Sequence, residues 1–164
     1  MDDLDVLARQ LGRRPRAFAR VVVRCPWGRP AVTEQRPYTA AGEPFPTTFY
    51  LSCPQLVAAV SRIEAAGGVE RFTALVETDP DLRANLDRVT LEQAALRTKL
   101  AAGSTGQDGG ASLGTGIGGS RNPTQLKCLH AHVAYALAVP GYRLGGKMLA
   151  ELDPLWPAEE CCTA

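Results

Sequence analysis

The sequence predicts an α+β fold, a small and mostly antiparallel sheet covered by several helices. Three observations carry that expectation. Three short segments rich in valine, threonine and aromatic residues lie in the first third of the chain, separated by turns that hold proline and glycine. From residue 53 onward the apolar residues recur at helical spacing instead. A length of 164 residues, 45% hydrophobic and 21% charged, suits one domain over residues 1–164 with a core of its own.

Asp3–Leu11 opens the chain as a helix, with Leu4, Leu7 and Leu11 on one face and early acids at the positive end of its dipole. Gly12 and Pro15 break the pattern. The valine-rich residues 17–24 read as a strand, Cys25-Pro26-Trp27-Gly28 as a turn, and residues 31–35 as the returning strand. Residues 47–52, Thr-Thr-Phe-Tyr-Leu-Ser, make a third strand. A helix follows at once, with Cys53 at its N-cap, Pro54 at the first helical position and Leu56, Val57, Val60 and Ile63 on its buried stripe. Gly67-Gly68 ends it. Residues 69–76 are helical, and Asp79-Pro80-Asp81 leads into a long helix reaching about Leu100.

At about residues 102–121 the composition turns to glycine, serine and threonine, as in a mobile loop. Asn122-Pro123 then signals a helix through about Ala138. Pro140-Gly141 stops it, and a short helix covers residues 146–152.

The segment Lys127-Cys128-Leu129-His130-Ala131-His132 holds both histidines of the protein and one of its five cysteines. On a helix that runs from Asn122, at about 100° per residue, Cys128 and His132 share a face. An i, i+4 pair of sulfur and nitrogen suits metal ligation. His130 falls among Leu126, Leu129, Val133 and Leu137, in the core or supporting the site from behind. Cys53 and a terminal cysteine, Cys161 or Cys162, are the candidates to complete the ligand set. The competing readings are buried cysteines that only fill space, and thiol redox chemistry. Mixed sulfur and nitrogen ligands favour zinc, with an iron–sulfur cluster as the alternative.

The glycines before this segment invite a second reading. Gly118, Gly119, Arg121 and Lys127 lie where backbone N–H groups and positive charge would receive an anion, such as a small phosphorylated ligand. The spacing is not that of a phosphate-binding P-loop, and a plain loop explains the glycines as well. Arg9, Arg13, Arg14, Arg16, Arg20, Arg24 and Arg29 occupy a span without an acid. That span is either a contact surface for an acidic protein or a solvated face; the net charge of +1 gives no strong indication of nucleic acid. No apolar run is long enough for a membrane span. The acidic start does not read as a signal peptide, so a cytoplasmic protein with reduced thiols is expected.

The combination of Pro44-Phe45-Pro46-Thr47-Thr48-Phe49-Tyr50-Leu51-Ser52-Cys53-Pro54, Gly116-Ile117-Gly118-Gly119 and Lys127-Cys128-Leu129-His130-Ala131-His132 resembles the bacterial domain-of-unknown-function 501 family. The resemblance runs from about Leu11 to the terminal cysteines. It implies an actinobacterial-type protein and brings no established activity with it. The expectation from the residues is therefore a cytoplasmic metal-binding protein. An interaction module built on the arginines, or an enzyme acting on a phosphorylated ligand, are the alternatives.

Overall fold

A computed structural model of the chain describes residues 1–122 and 124–159. Its architecture is α+β: a three-stranded antiparallel sheet and six α-helices. Helix α1 (Asp3–Leu11) is capped by the Asp2 carboxylate, which accepts from Asp5 N, and ends at Gly12 in the left-handed region. Strands β1 (Phe18–Arg24), β2 (Pro30–Gln35) and β3 (Phe49–Leu51) follow in the order β1-β2-β3. Every residue of the central strand β2 is buried. Its Glu34 is neutralised by a two-pronged bond from Arg20 at 2.9 and 3.1 Å.

Helices α2 (Pro54–Ala65) and α3 (Gly68–Thr78) come next, with α2 starting at the expected Pro54. Asp79 caps α4 (Pro80–Ala101) by accepting from Asp81 N and Leu82 N. Helices α5 (Leu129–Ala138) and α6 (Arg143–Glu151) close the fold. Six of the ten residues of α5 are buried, which makes it the central helix, packed across the sheet with β3 as a main neighbour. Gly145 permits α6 to lie close: a Cβ there would meet Ala136 Cβ at 2.5 Å. Among the described residues no helix is long and apolar enough to cross a membrane.

The glycine-rich stretch is hydrogen-bonded to the rest of the protein at several points. It holds two short 3-10 turns, Ala111–Gly114 and Ile117–Gly119. The wholly buried Arg97 of α4 donates to Ser112 O, and also to Phe45 O, Pro46 O and Thr48 Oγ1 on the other side. Gln93 donates to Thr115 O, and Tyr38 Oη to Asp108. One guanidinium thus ties the glycine segment to the proline-rich loop before β3.

The helix expected from Asn122 begins instead at Leu129. Asn122 Oδ1 accepts from Thr124 N and Thr124 Oγ1, while Ser120 Oγ sits against the Asn122 and Gln125 carbonyls. Those local bonds occupy groups that a helical turn would need. Cys128, with φ −148° and ψ 151°, is therefore extended backbone at the N-cap and not a position on the helical wheel.

His132, on α5, is 2% exposed, and Tyr142 Oη lies 2.6 Å from its Nδ1. Burial pushes its pKa down to about 4. A depressed histidine contributes stability that is fully present above its unfolded pKa and is lost as pH falls through the folded one. Denaturant midpoints should therefore drop between about pH 6.5 and 4, by the equivalent of roughly 3 kcal/mol at most. In His132→Phe that part of the profile should flatten; an unchanged slope would refute the assignment.

Candidate functional site

The tight turn between α2 and α3 sets the site. Gly67 has φ 82°, and a Cβ on Gly68 would lie 2.6 Å from Ile63 Cγ2 and 3.0 Å from Leu129 Cδ1. The last turn of α2 is thereby brought against the first residue of α5. Glu64, in that turn, accepts a 2.6 Å hydrogen bond from Leu129 N. Cys128 provides no side-chain cap to α5, so a carboxylate from another helix meets this N–H.

The same oxygen, Glu64 Oε1, lies 3.1 Å from His130 Nδ1. The other ring nitrogen, Nε2, lies 3.3 Å from Val57 O and 3.2 Å from Ser61 Oγ. Val57, Ser61 and Glu64 stand at i, i+4 and i+7, so one face of α2 holds the imidazole at both ends. Cys128 completes the group: ligand atoms of Glu64, Cys128 and His130 all lie within 4.8 Å of one another. All three residues are half-buried.

The charges reinforce each other. The hydrogen bond with His130 is the main cause holding the Cys128 thiol below its ordinary range; burial opposes it and the Ala131 N–H adds to it. His130 is raised, first by Cys128 and then, against its own burial, by attraction to Glu64. The group brings a thiol of lowered pKa, an imidazole of raised pKa and a carboxylate together.

This reverses the expected roles of the two histidines. His132 faces the core against Tyr142, and the histidine beside Cys128 is His130. The helical wheel failed because it carried the helix through Cys128. Cys53 is where it was expected, at the N-cap of α2, and belongs to the hydrophobic core; among the described residues the group of three ligands that forms is Glu64, Cys128 and His130. Cys161 and Cys162 lie outside the described residues. Glu64 was missed. A carboxylate in the last turn of a helix opposes the helix dipole, and that anomaly was the available signal.

The anion-site residues come together only in part. Gly119, Arg121 and Lys127 border an open cleft of about 780 Å3, and Lys127 Nζ reaches Gly119 O at 3.3 Å. Gly118 takes a left-handed φ of 70° within the second 3-10 turn. Among the described residues no helix begins directly after these glycines, and the N-terminus of α5 faces Glu64 instead. In the arginine-rich span, Arg14, Arg16, Arg20 and Arg24 pair with Asp5, Glu43, Glu34 and Asp3. The fold brings to these arginines the acids that their own stretch of sequence lacks.

Cys128 and His130 stand on the wall of another cleft, of about 590 Å3, between α1, β3, α2 and α5. The molecule is thus an α+β protein with an acid–thiol–imidazole cluster at a helix start beside an open cleft. The chain belongs to the family described as "Protein of unknown function (DUF501)", whose model matches residues 21–151. That span contains Glu64, Cys128 and His130, and ends before Cys161 and Cys162. No curated protein and no solved structure matches the chain.

In metal-free protein, peptide-mapped alkylation by iodoacetamide should find Cys128 reactive at neutral pH, with a profile that begins below that of an ordinary thiol. His130→Asn removes the imidazole that lowers the thiol pKa, so the profile should move to higher pH and the rate at pH 7 should fall several-fold. An unmoved profile would show that the imidazole does not hold the thiolate.

Proposed function

We propose that the protein binds a divalent metal ion, zinc by the chemistry of its donors, through Cys128 Sγ, His130 Nδ1 and the Glu64 carboxylate. The observation that carries this reading is the position of the imidazole. With Nε2 donating to Val57 O, which can only accept, Nδ1 turns its lone pair toward the Glu64 carboxylate 3.1 Å away, where a metal ion would bridge the two. With Ser61 Oγ donating to Nε2 instead, Nδ1–H donates to Glu64, so metal uptake selects the first tautomer.

A metal-bound histidine commonly donates its second N–H to a carbonyl, and Val57 O is placed for that role. Sulfur, nitrogen and carboxylate oxygen are all zinc donors. Three protein ligands with a fourth position open toward a cleft is the pattern of a catalytic zinc site rather than a closed structural one. The described residues bring one cysteine to the site, and an iron–sulfur cluster takes most of its ligands from thiolates, so zinc is the preferred reading. The reading replaces His132 and Cys53 with His130 and Glu64 in the expected ligand set.

The test uses protein purified without a metal-binding tag. It should take up one equivalent of zinc by elemental analysis. Cobalt(II) in its place should give a thiolate-to-metal charge-transfer band. Cys128→Ser should abolish the band, and Glu64→Gln should weaken zinc binding by about 10- to 100-fold. Protein that takes up neither ion, or a band that survives in Cys128→Ser, would overturn the assignment.

A further inference from the structure

The hydrogen-bond register of β3 gives the cleft beside Cys128 and His130 a specific character. Gln35 N donates to Thr48 O, Thr33 stands opposite Tyr50, and Ser52 N donates to Ala31 O. Alternate residues 48, 50 and 52 therefore turn their main-chain groups toward β2. The N–H and C=O of Phe49 and Leu51 are left on the outer edge. The strand order β1-β2-β3 places no further strand on that edge among the described residues.

The cleft runs along this edge. It is lined by the consecutive residues Phe49, Tyr50, Leu51 and Ser52, whose side chains alternate between the two faces of the sheet. A cavity on one face would meet only every second residue. The end of α1 forms one wall with Gln10 and Leu11, and Val57, Ala58 and Ala131 form the other.

Two further polar groups on its walls lack partners among the described residues. Ser52, 1% exposed, has an unbonded Oγ, and the buried Gln10 Oε1 is likewise unbonded. Gln10 Nε2 is committed to Pro30 O, which can only accept, so the atom left over is an acceptor. Among the described residues no lysine, arginine or carboxylate lines the cleft, and its ionisable side chains are Tyr50 and, at one end, Cys128 and His130. A phosphorylated compound would find no lysine or arginine along the strand edge. What the cleft offers is the outer edge of β3 and apolar walls on both sides, with Ser52 Oγ and Gln10 Oε1 buried behind them.

We propose that this groove binds an uncharged, extended polypeptide segment as an added strand on β3, and so presents its main chain to the Glu64–Cys128–His130 site. Main-chain bonds to Phe49 and Leu51 give the affinity. Successive side chains of the segment alternate between the Leu11–Tyr50 wall and the Val57–Ala131 wall. The delivery of a peptide carbonyl to a metal rests on the proposed metal site; the groove itself rests only on the edge of β3.

The probe is a blocked alanine–valine hexapeptide, titrated into metal-free full-length protein and followed by 15N NMR. The Phe49 and Leu51 amides should shift and exchange more slowly with solvent. Only alternate N–H groups of an added strand face β3. N-methylation at one parity should therefore weaken binding by about tenfold or more, while the other parity changes it little. Ala58 is exposed on α2, so Ala58→Trp should fill the groove, abolish peptide binding and leave zinc uptake intact. Unshifted Phe49 and Leu51 amides at millimolar peptide, or equal loss at both parities, overturn the groove. Peptide binding by protein that takes up no zinc would support the groove and remove the metal reading alone.

Discussion

The Glu64 carboxylate is the contact on which the site depends. One oxygen takes the first N–H of α5 and also faces the imidazole of His130. The first bond helps fix where α5 starts. With the start at Leu129, Cys128 becomes an extended N-cap residue, His130 points to the site, and His132 turns into the core. A start one turn earlier would put Cys128 on the helix and redistribute all three side chains. The close approach that brings Glu64 to this position rests in turn on Gly68, where any side chain would collide with Ile63 and crowd Leu129.

The surroundings extend this local arrangement into a potential working surface. Arg97 holds the proline-rich loop and the glycine-rich segment together from inside the protein, through the carbonyls of Phe45, Pro46 and Ser112. That anchorage fixes the approach of the chain into β3, and β3 forms the floor of the groove. A buried cation bound mainly by neutral carbonyls is costly without full satisfaction. Its hydrogen bonds run to two separate segments, so their mutual placement is specified along with its own.

The two readings of the site are physically linked. Sulfur, nitrogen and carboxylate oxygen converging within 4.8 Å suit a metal ion, and an open strand edge suits an extended chain. The cleft joins them, because Cys128 and His130 stand on its wall together with β3. The paired arginines on the opposite part of the sequence, by contrast, are largely spent on Asp3, Asp5, Glu34 and Glu43. The structure gives that surface less free charge than the sequence alone implied.

Much of the fold was legible from residue order. Asp3–Leu11, the three strands, Pro54 at the start of α2 and Asp79 before α4 all rest on local rules of capping, turn chemistry and periodicity, which act over a few residues. The concentration of chemistry at Cys128 and His130 was also legible. The start of α5 was not, because Asn122 and Ser120 satisfy their neighbours locally and the N–H of Leu129 is met by a residue 65 positions earlier. Nor was the choice between the histidines, since α5 is apolar nearly all round and periodicity could not orient it. The sequence by itself determined which elements form and which residues carry reactive atoms. Only the tertiary structure decided which of those atoms meet, because that depends on how tightly α2 turns into α3 and which edge of the sheet is left open.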